Sequence, residues 1–340
     1  MRKTGRSPRN SNATNTTNGP VRRLAAVSAA VAIGATMFVP AANAQSAGIP
    51  PEVAQAAVTA TGSGASEPQQ NAPEGGARMV TLGDSVMAGT TLPLVDGGQE
   101  CFRSSDRYVS QVARSIGVYN TPDFQDTSCF GATLDSPPIL TLVDQAAHHR
   151  DRGSFGPRTE HVLIQAGLND KWGNPDVDLL DTALNCAINL VQGCDMNAVG
   201  EGRAQDPDAV TAQAYADRAR VAVDYIKHYA PNAKVSFVGY PTYATNDRTC
   251  ISIGGLPAEQ PRDEAITRLF NNMQEAQRGA AEQLGVNFID LKTPSAAHGG
   301  CTGEPWVSGI LDPASGHQGV PVHLNPAGDH AVAGIVQSQM

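Results

Sequence analysis

Apolar residues fall along this chain in two rhythms. Short runs of β-compatible residues occupy 79–82 (Met-Val-Thr-Leu), about 123–128, 161–166 (His-Val-Leu-Ile-Gln-Ala), 234–239 (Lys-Val-Ser-Phe-Val-Gly) and 286–290 (Val-Asn-Phe-Ile-Asp). These runs predict strands, the second being the weak one and 161–166 a strong one. Between them the period lengthens to that of a helix. Residues 208–229 place Ala212, Tyr215, Ala219, Ala222, Ile226 and Tyr229 at alternating spacings of three and four, which is one packed helical face. A second long helix is expected over 262–284, from Arg262 to Leu284, with Gly285 as its stop. Ser104 or Ser105 is expected to cap a helix carrying Tyr108, Val109, Val112 and Ile116. Pro137-Pro138 introduces another helix through about His149, and Asn325-Pro326 opens the last one. Strands separated by helix-length segments predict an α/β domain over 78–340, with a parallel sheet covered on both faces. Residues 171–207 break the alternation. Cys186 and Cys194 there flank an apolar stretch that reads as an inserted helix and loop following Asn169-Asp170.

The first 77 residues lie outside this pattern. Residues 1–23 carry six basic side chains and no acid, 24–40 are apolar, and Ala42-Asn43-Ala44 has the small-x-small form of a cleavage site. Residues 1–44 therefore read as a signal peptide. Residues 45–77, rich in Ala, Gly, Ser, Pro and Gln, read as a flexible linker. The whole chain has a formal net charge of −9, and cleavage after Ala44 leaves 18 basic against 33 acidic side chains, a charge of −15. That balance excludes nucleic acid and anionic membrane surfaces as partners. It also predicts no stable membrane insertion once the leader is gone. Six cysteines in an oxidising compartment predict three disulfides. Fifteen pairings are open, and the sequential one (Cys101–Cys129, Cys186–Cys194, Cys250–Cys301) closes the shortest loops.

Candidate chemistry gathers at one end of the expected sheet. Ligands of open parallel α/β sheets bind at the carboxyl ends of the strands. Gly83-Asp84-Ser85 follows the first strand, Gly131 the second, and Gly167-Leu168-Asn169-Asp170 the third. A serine at the mouth of a helix is placed to act as a nucleophile. The Ser85 N–H, the Gly131 N–H and the Asn169 side-chain amide are the donors an oxyanion requires. Taken singly, each is also an ordinary turn or cap residue. Among eight histidines, His323 stands in a constrained, partly apolar loop before a capped helix, with His317 next in order as a base.

Gly83-Asp84-Ser85, Gly131, Gly167-x-Asn169-Asp170 and His323, in that order, resemble the SGNH (GDSL) hydrolases over essentially all of 78–340. The Ser128-to-Thr133 block, the leader and the six cysteines resemble the secreted actinobacterial esterase/lipase branch. The resemblance implies a three-layer α/β/α sandwich with a central parallel sheet, of flavodoxin-like type. It implies Ser85 as nucleophile, His323 as base, and Ser85, Gly131 and Asn169 as the oxyanion hole. It also implies sequential disulfides and no metal or cofactor. Many members carry an aspartate three residues before the histidine; here that position is Val320. The branch resemblance implies instead a Ser–His dyad in which a backbone carbonyl, of Val320 or a neighbour, orients the imidazole; Asp312 is the alternative. Asp84 is expected to serve the turn. The expected activity is that of a secreted or envelope-associated esterase or lipase. A deacylase of envelope glycans or glycolipids and a non-catalytic envelope-binding domain are the alternatives.

Overall fold

The computed structural model describes residues 62–66, 70–91, 93–98, 101–137, 140–189, 191–245, 248–253, 256–309 and 321–340. The expected signal peptide lies outside them, as do Asp312, His317 and Val320.

Strands in chain order are β1 (Gly62–Ser66), β2 (Met79–Gly83), β3 (Leu94–Asp96), β4 (Phe102–Ser104), β5 (Phe124–Asp126), β6 (His161–Gln165), β7 (Lys234–Val238), β8 (Ala244–Thr245), β9 (Arg248–Ile253), β10 (Leu256–Glu259) and β11 (Asn287–Ile289). Helices are α1 (Ser85–Ala88), α2 (Tyr108–Ser115), α3 (Leu142–Asp151), α4 (Leu179–Ile188), α5 (Asn197–Gly200), α6 (Ala212–Tyr229), α7 (Glu264–Leu284) and α8 (Pro326–Gln339). The five strands expected from the apolar runs form one parallel sheet in the order β11-β7-β6-β2-β5. The first strand thus has the second on one side and the third on the other. The order in which strands are added reverses between β2 and β6, and the crevice at that switch point is where a flavodoxin-like sheet binds ligands.

Side-chain alternation assigns the helices to the two faces. Residues in register point the same way, so Ile164 and Phe237 share one face and Gln165 lies on the other. Tyr215 of α6 packs its ring on Phe237 at 5.4 Å, and Tyr108 of α2 donates to Gln165 at 2.9 Å. Helices α6 and α2 therefore cover opposite faces, and the domain is an α/β/α sandwich. The α6 stripe is Tyr215, Ala216, Ala219, Ala222, Val223 and Ile226, buried against the sheet and α7. Tyr229, expected on that stripe, is half exposed beyond its end.

Several boundaries differ from the sequence pattern. Helix α2 starts at Tyr108 after Arg107, with neither Ser104 nor Ser105 as its cap. Ser104 instead bonds Thr91, and the cap comes from elsewhere: Asp329 in α8 accepts from the Tyr108 N–H at 3.0 Å. Helix α3 begins four residues beyond Pro137-Pro138, where Thr141 and Asp144 form a capping box. The linker does not extend to residue 77. Gly62–Ser66 pairs in parallel with β3, and Ala72 and Ala77 donate to the Arg152 and Ser154 carbonyls. Small residues without a period give no strand signal, and the β3 edge supplies one. The inserted segment holds α4 and α5. The sulfurs bond as Cys101–Cys129, Cys186–Cys194 and Cys250–Cys301.

His149 of α3 is fully buried. Its ring nitrogens meet Thr127 Oγ1 at 2.9 Å, the Thr81 carbonyl at 3.1 Å and Ser154 Oγ at 3.2 Å. Burial pushes its pKa down to about 3, against the smaller opposing effect of the Thr81 carbonyl. The folded state thus keeps His149 neutral where the unfolded chain takes up a proton. Its stabilisation is full above the ordinary histidine pKa and falls as pH drops toward 3. Between pH 7 and 5 the loss is about 2 kcal/mol. Asp84 and Asp170, raised to about 7 and about 6 by burial, change in the opposite sense. The decisive measurement is therefore a difference: the urea stability of wild type relative to His149→Asn is expected to fall by about 2 kcal/mol from pH 7 to 5.

Candidate active site

Three loops at the carboxyl ends of β2, β5 and β6 are tied together by two backbone hydrogen bonds and one from a side-chain amide. Asp84 N–H donates to the Gln165 carbonyl at 2.8 Å, which fixes the first loop against β6. Cys129 N–H donates to the Gly83 carbonyl at 3.0 Å, which fixes the second against the first. Asn169 Nδ2 donates to the Ala132 carbonyl at 3.0 Å, which joins the third to the residue after Gly131. Gly131 has a φ of +71°, a conformation that glycine adopts without steric cost.

Asp84 is the cap of α1, accepting from the Val86 N–H at 2.9 Å, and Ser85 is the first helical residue. The Ser85 N–H accordingly has no intrahelical acceptor. Asp84 is buried, and its second oxygen accepts from Tyr240 Oη at 2.5 Å. Burial raises its carboxyl to about 7, against the Tyr240 hydrogen bond, which works the other way. Tyr240 also accepts from the Leu168 N–H at 3.4 Å, so one phenol joins the Ser85 turn to the Asn169 loop. The sequence reading missed this residue. Its only local sign is its place just after β7, at the same end of the sheet as the other site loops.

Asp170 braces the remaining loop. It is buried and accepts from Leu134 N–H at 2.8 Å, Asp135 N–H at 3.2 Å and Ser136 Oγ at 3.1 Å. Burial raises its carboxyl to about 6 despite those donors and Arg218. Upstream of Gly131, Asp126 binds Arg107 Nη2 at 2.7 Å and accepts from Ser128 N–H at 2.8 Å, while Arg103 Nε holds the Ser128 carbonyl at 2.7 Å. Burial works against the charged form of Asp126, but Arg103 and Arg107 outweigh it and hold the carboxyl at about 2.

His323 arrives from the loop before α8. Asn325 caps that helix through the Gly328 N–H at 2.9 Å, and Pro326 follows as its first residue. His323 Nε2 lies 2.7 Å from Ser85 Oγ, and Nδ1 lies 2.9 Å from the Pro321 carbonyl. A carbonyl only accepts, so Nδ1 carries the proton and Nε2 presents its lone pair to the Ser85 hydroxyl. Burial lowers the His323 pKa, and the Pro321 carbonyl partly offsets this. The carbonyl on Nδ1 is that of Pro321, the neighbour of Val320; Val320 itself lies outside the described residues. Among the described residues, no group of three or more His, Cys, Asp or Glu is placed to hold a metal ion, and no helix is long and apolar enough to cross a membrane.

A serine hydroxyl hydrogen-bonded to a neutral imidazole, at the junction of three joined loops, is equipped for acyl transfer. Comparison with known proteins agrees with that chemistry. Residues 81–331 match the model of the GDSL-like lipase/acylhydrolase family. The chain is 28% identical over 269 residues to Lipase 2 of Streptomyces coelicolor, covering 75% of this chain and 82% of that lipase. It is 26% identical to an esterase of Streptomyces scabiei, covering 87% of each. Among solved structures, the phospholipase A1 of Streptomyces albidoflavus superimposes with a TM-score of 0.56 at 19% identity, covering 78% of this chain and 99% of that one. An extracellular lipase of Streptomyces rimosus gives 0.55 at 22%, covering 78% and 100%.

Proposed function

The chain belongs to the GDSL-like lipase/acylhydrolase family and is a carboxylic ester hydrolase, and we propose that it is a secreted serine esterase or lipase working through a Ser85–His323 dyad. The observation that carries this reading is the pair of contacts made by His323, 2.7 Å to Ser85 Oγ and 2.9 Å to the Pro321 carbonyl. Ser85 Oγ attacks the ester carbonyl while His323 Nε2 takes its proton. The Ser85 and Gly131 N–H groups and Asn169 Nδ2 receive the developing oxyanion. The imidazolium, held by the Pro321 carbonyl, then returns the proton to the leaving alcohol. Water, activated by the same imidazole, releases the acid. No carboxylate is needed, because the carbonyl fixes the tautomer and stabilises the charged ring.

Secretion is part of the proposal. It is supported by the basic and apolar leader with its Ala42-Asn43-Ala44 site and by three disulfides, which persist in oxidising compartments. The substrate in this reading is a carboxylic ester of the lipid or simple alkyl type, with an acylated glycan or glycolipid as the alternative. The test is a profile of p-nitrophenyl esters from acetyl to palmitoyl, with a phospholipid and an acetylated glycan alongside. Hydrolysis of the p-nitrophenyl series is expected, and its chain-length optimum separates esterase from lipase. Turnover of the acetylated glycan alone would replace the proposal with a deacylase. Absence of turnover on all of them would contradict it.

A further inference from the structure

Val322 has a φ of +62°. A β-branched side chain is rare in this left-handed region, because Cβ crowds the neighbouring carbonyl. Three non-glycine residues among those described adopt it: Asn120, Cys301 and Val322. Asparagine tolerates it well. The other two lie on one brace around His323.

That brace has three parts. The Val322 N–H donates to the Ser308 carbonyl at 2.9 Å, Ser308 N–H returns to the His323 carbonyl at 2.9 Å, and Asn325 N–H donates to the Trp306 carbonyl at 2.9 Å. Segment 306–308 thus clamps the chain on both sides of the imidazole, through an antiparallel bridge between Val307 and Leu324. Val322 packs against Ile251 of the β9–β10 hairpin, as does Ala258. The Cys250–Cys301 disulfide ties that hairpin to the loop leading into the clamp.

We propose that Val322 is a positioning residue: its left-handed backbone aims the Pro321 carbonyl at His323 Nδ1, and the disulfide-tied hairpin holds it there. The kind of orienting group makes the backbone decisive. A carboxylate reaches an imidazole through rotatable side-chain bonds and offers two oxygens. A backbone carbonyl has no such freedom, so its direction is set by the dihedrals beside it. Here the carbonyl lies two residues before the histidine that it serves. The ring can meet it only if the chain reverses at the residue between, and that residue is Val322. The Val322 backbone, more than its side chain, is then what the dyad depends on.

This inference rests on the Ser85–His323 reading, and the experiment separates the two. kcat and KM are measured on a soluble p-nitrophenyl ester for the purified protein and its variants, with folding followed by circular dichroism. Ser85→Ala and His323→Ala test the dyad itself; if either keeps wild-type activity, that reading fails first. Val322→Pro fixes φ near −65° and removes the clamped N–H. It is expected to lower kcat by about 100-fold, with KM within about threefold of wild type. Val322→Gly and Val322→Asn accept a positive φ and are expected to recover kcat to within about fivefold of wild type. A folded proline variant with wild-type kcat would overturn the inference. So would glycine and asparagine variants as slow as proline. If the proline variant does not fold, Cys250→Ser/Cys301→Ser decides. Loosening the brace is expected to lower kcat by about tenfold at constant KM, and adding Val322→Asn is expected to restore it. An unchanged kcat without the disulfide, or no recovery with asparagine, would equally overturn it.

Discussion

Ser85→Ala is expected to lower kcat on p-nitrophenyl butyrate by about a millionfold, with KM little changed. The alcohol is the only group within hydrogen-bond reach of His323 Nε2, at 2.7 Å, among the contacts described. Removing it takes away the nucleophile and leaves the base with nothing to activate. His323→Ala is expected to cost a similar factor, since Ser85 alone is a neutral hydroxyl of high pKa. The two act as one unit, so the double variant is expected to be no slower than either single one. The residual rate reports what the proposed oxyanion donors contribute by themselves, the backbone N–H of residue 85 included. A loss below about 100-fold for Ser85→Ala would remove it from the mechanism.

Asp126→Ala is expected to destabilise the fold by about 3–5 kcal/mol. The side chains of Arg103, Arg107 and Asp126 are all nearly inaccessible to water, and the carboxylate lies within ion-pair distance of both cations. Taking it away removes the buried carboxylate that both guanidinium groups share. It also frees Ser128, whose N–H and carbonyl are held by Asp126 and Arg103 three residues before Gly131. Urea unfolding should therefore show a lower midpoint with an unchanged slope. Heat should show a fall in Tm of about 10 °C. A change under about 1 kcal/mol would mean that the cations find other acceptors at no cost.

Much of the site lies in short local patterns, and those patterns explain what was legible. Ser85 and Asn169 each follow a compact apolar strand and Gly131 a weaker, polar one, and the strand order brings the ends of β2, β5 and β6 side by side. His323 stands just before an Asn-Pro helix start, which the structure uses as Asn325 and Pro326. What stayed hidden depends on partners remote in sequence. The cap of α2 comes from Asp329, 221 residues away, so the nearby Ser104 and Ser105 misled. Tyr240 reaches Asp84 across 156 residues. Gly62–Ser66 becomes a strand only because β3 offers an edge. The Thr141–Asp144 capping box, by contrast, was present in the sequence and was overshadowed by the Pro137-Pro138 signal. The Pro321 carbonyl was hidden for another reason. Which carbonyl meets Nδ1 depends on the φ of Val322, and a valine gives no hint of a positive one.

The central claim is that Ser85 is the nucleophile and that a neutral, carbonyl-held His323 activates it. Covalent trapping tests it most directly. A fluorophosphonate is incubated with the protein, the intact mass is followed in time, and the labelled peptide is sequenced. The account predicts one phosphonyl group per chain, attached to Ser85, with labelling slowed by about a thousandfold in His323→Ala. A label on any other residue, or an unchanged labelling rate in His323→Ala, would contradict it.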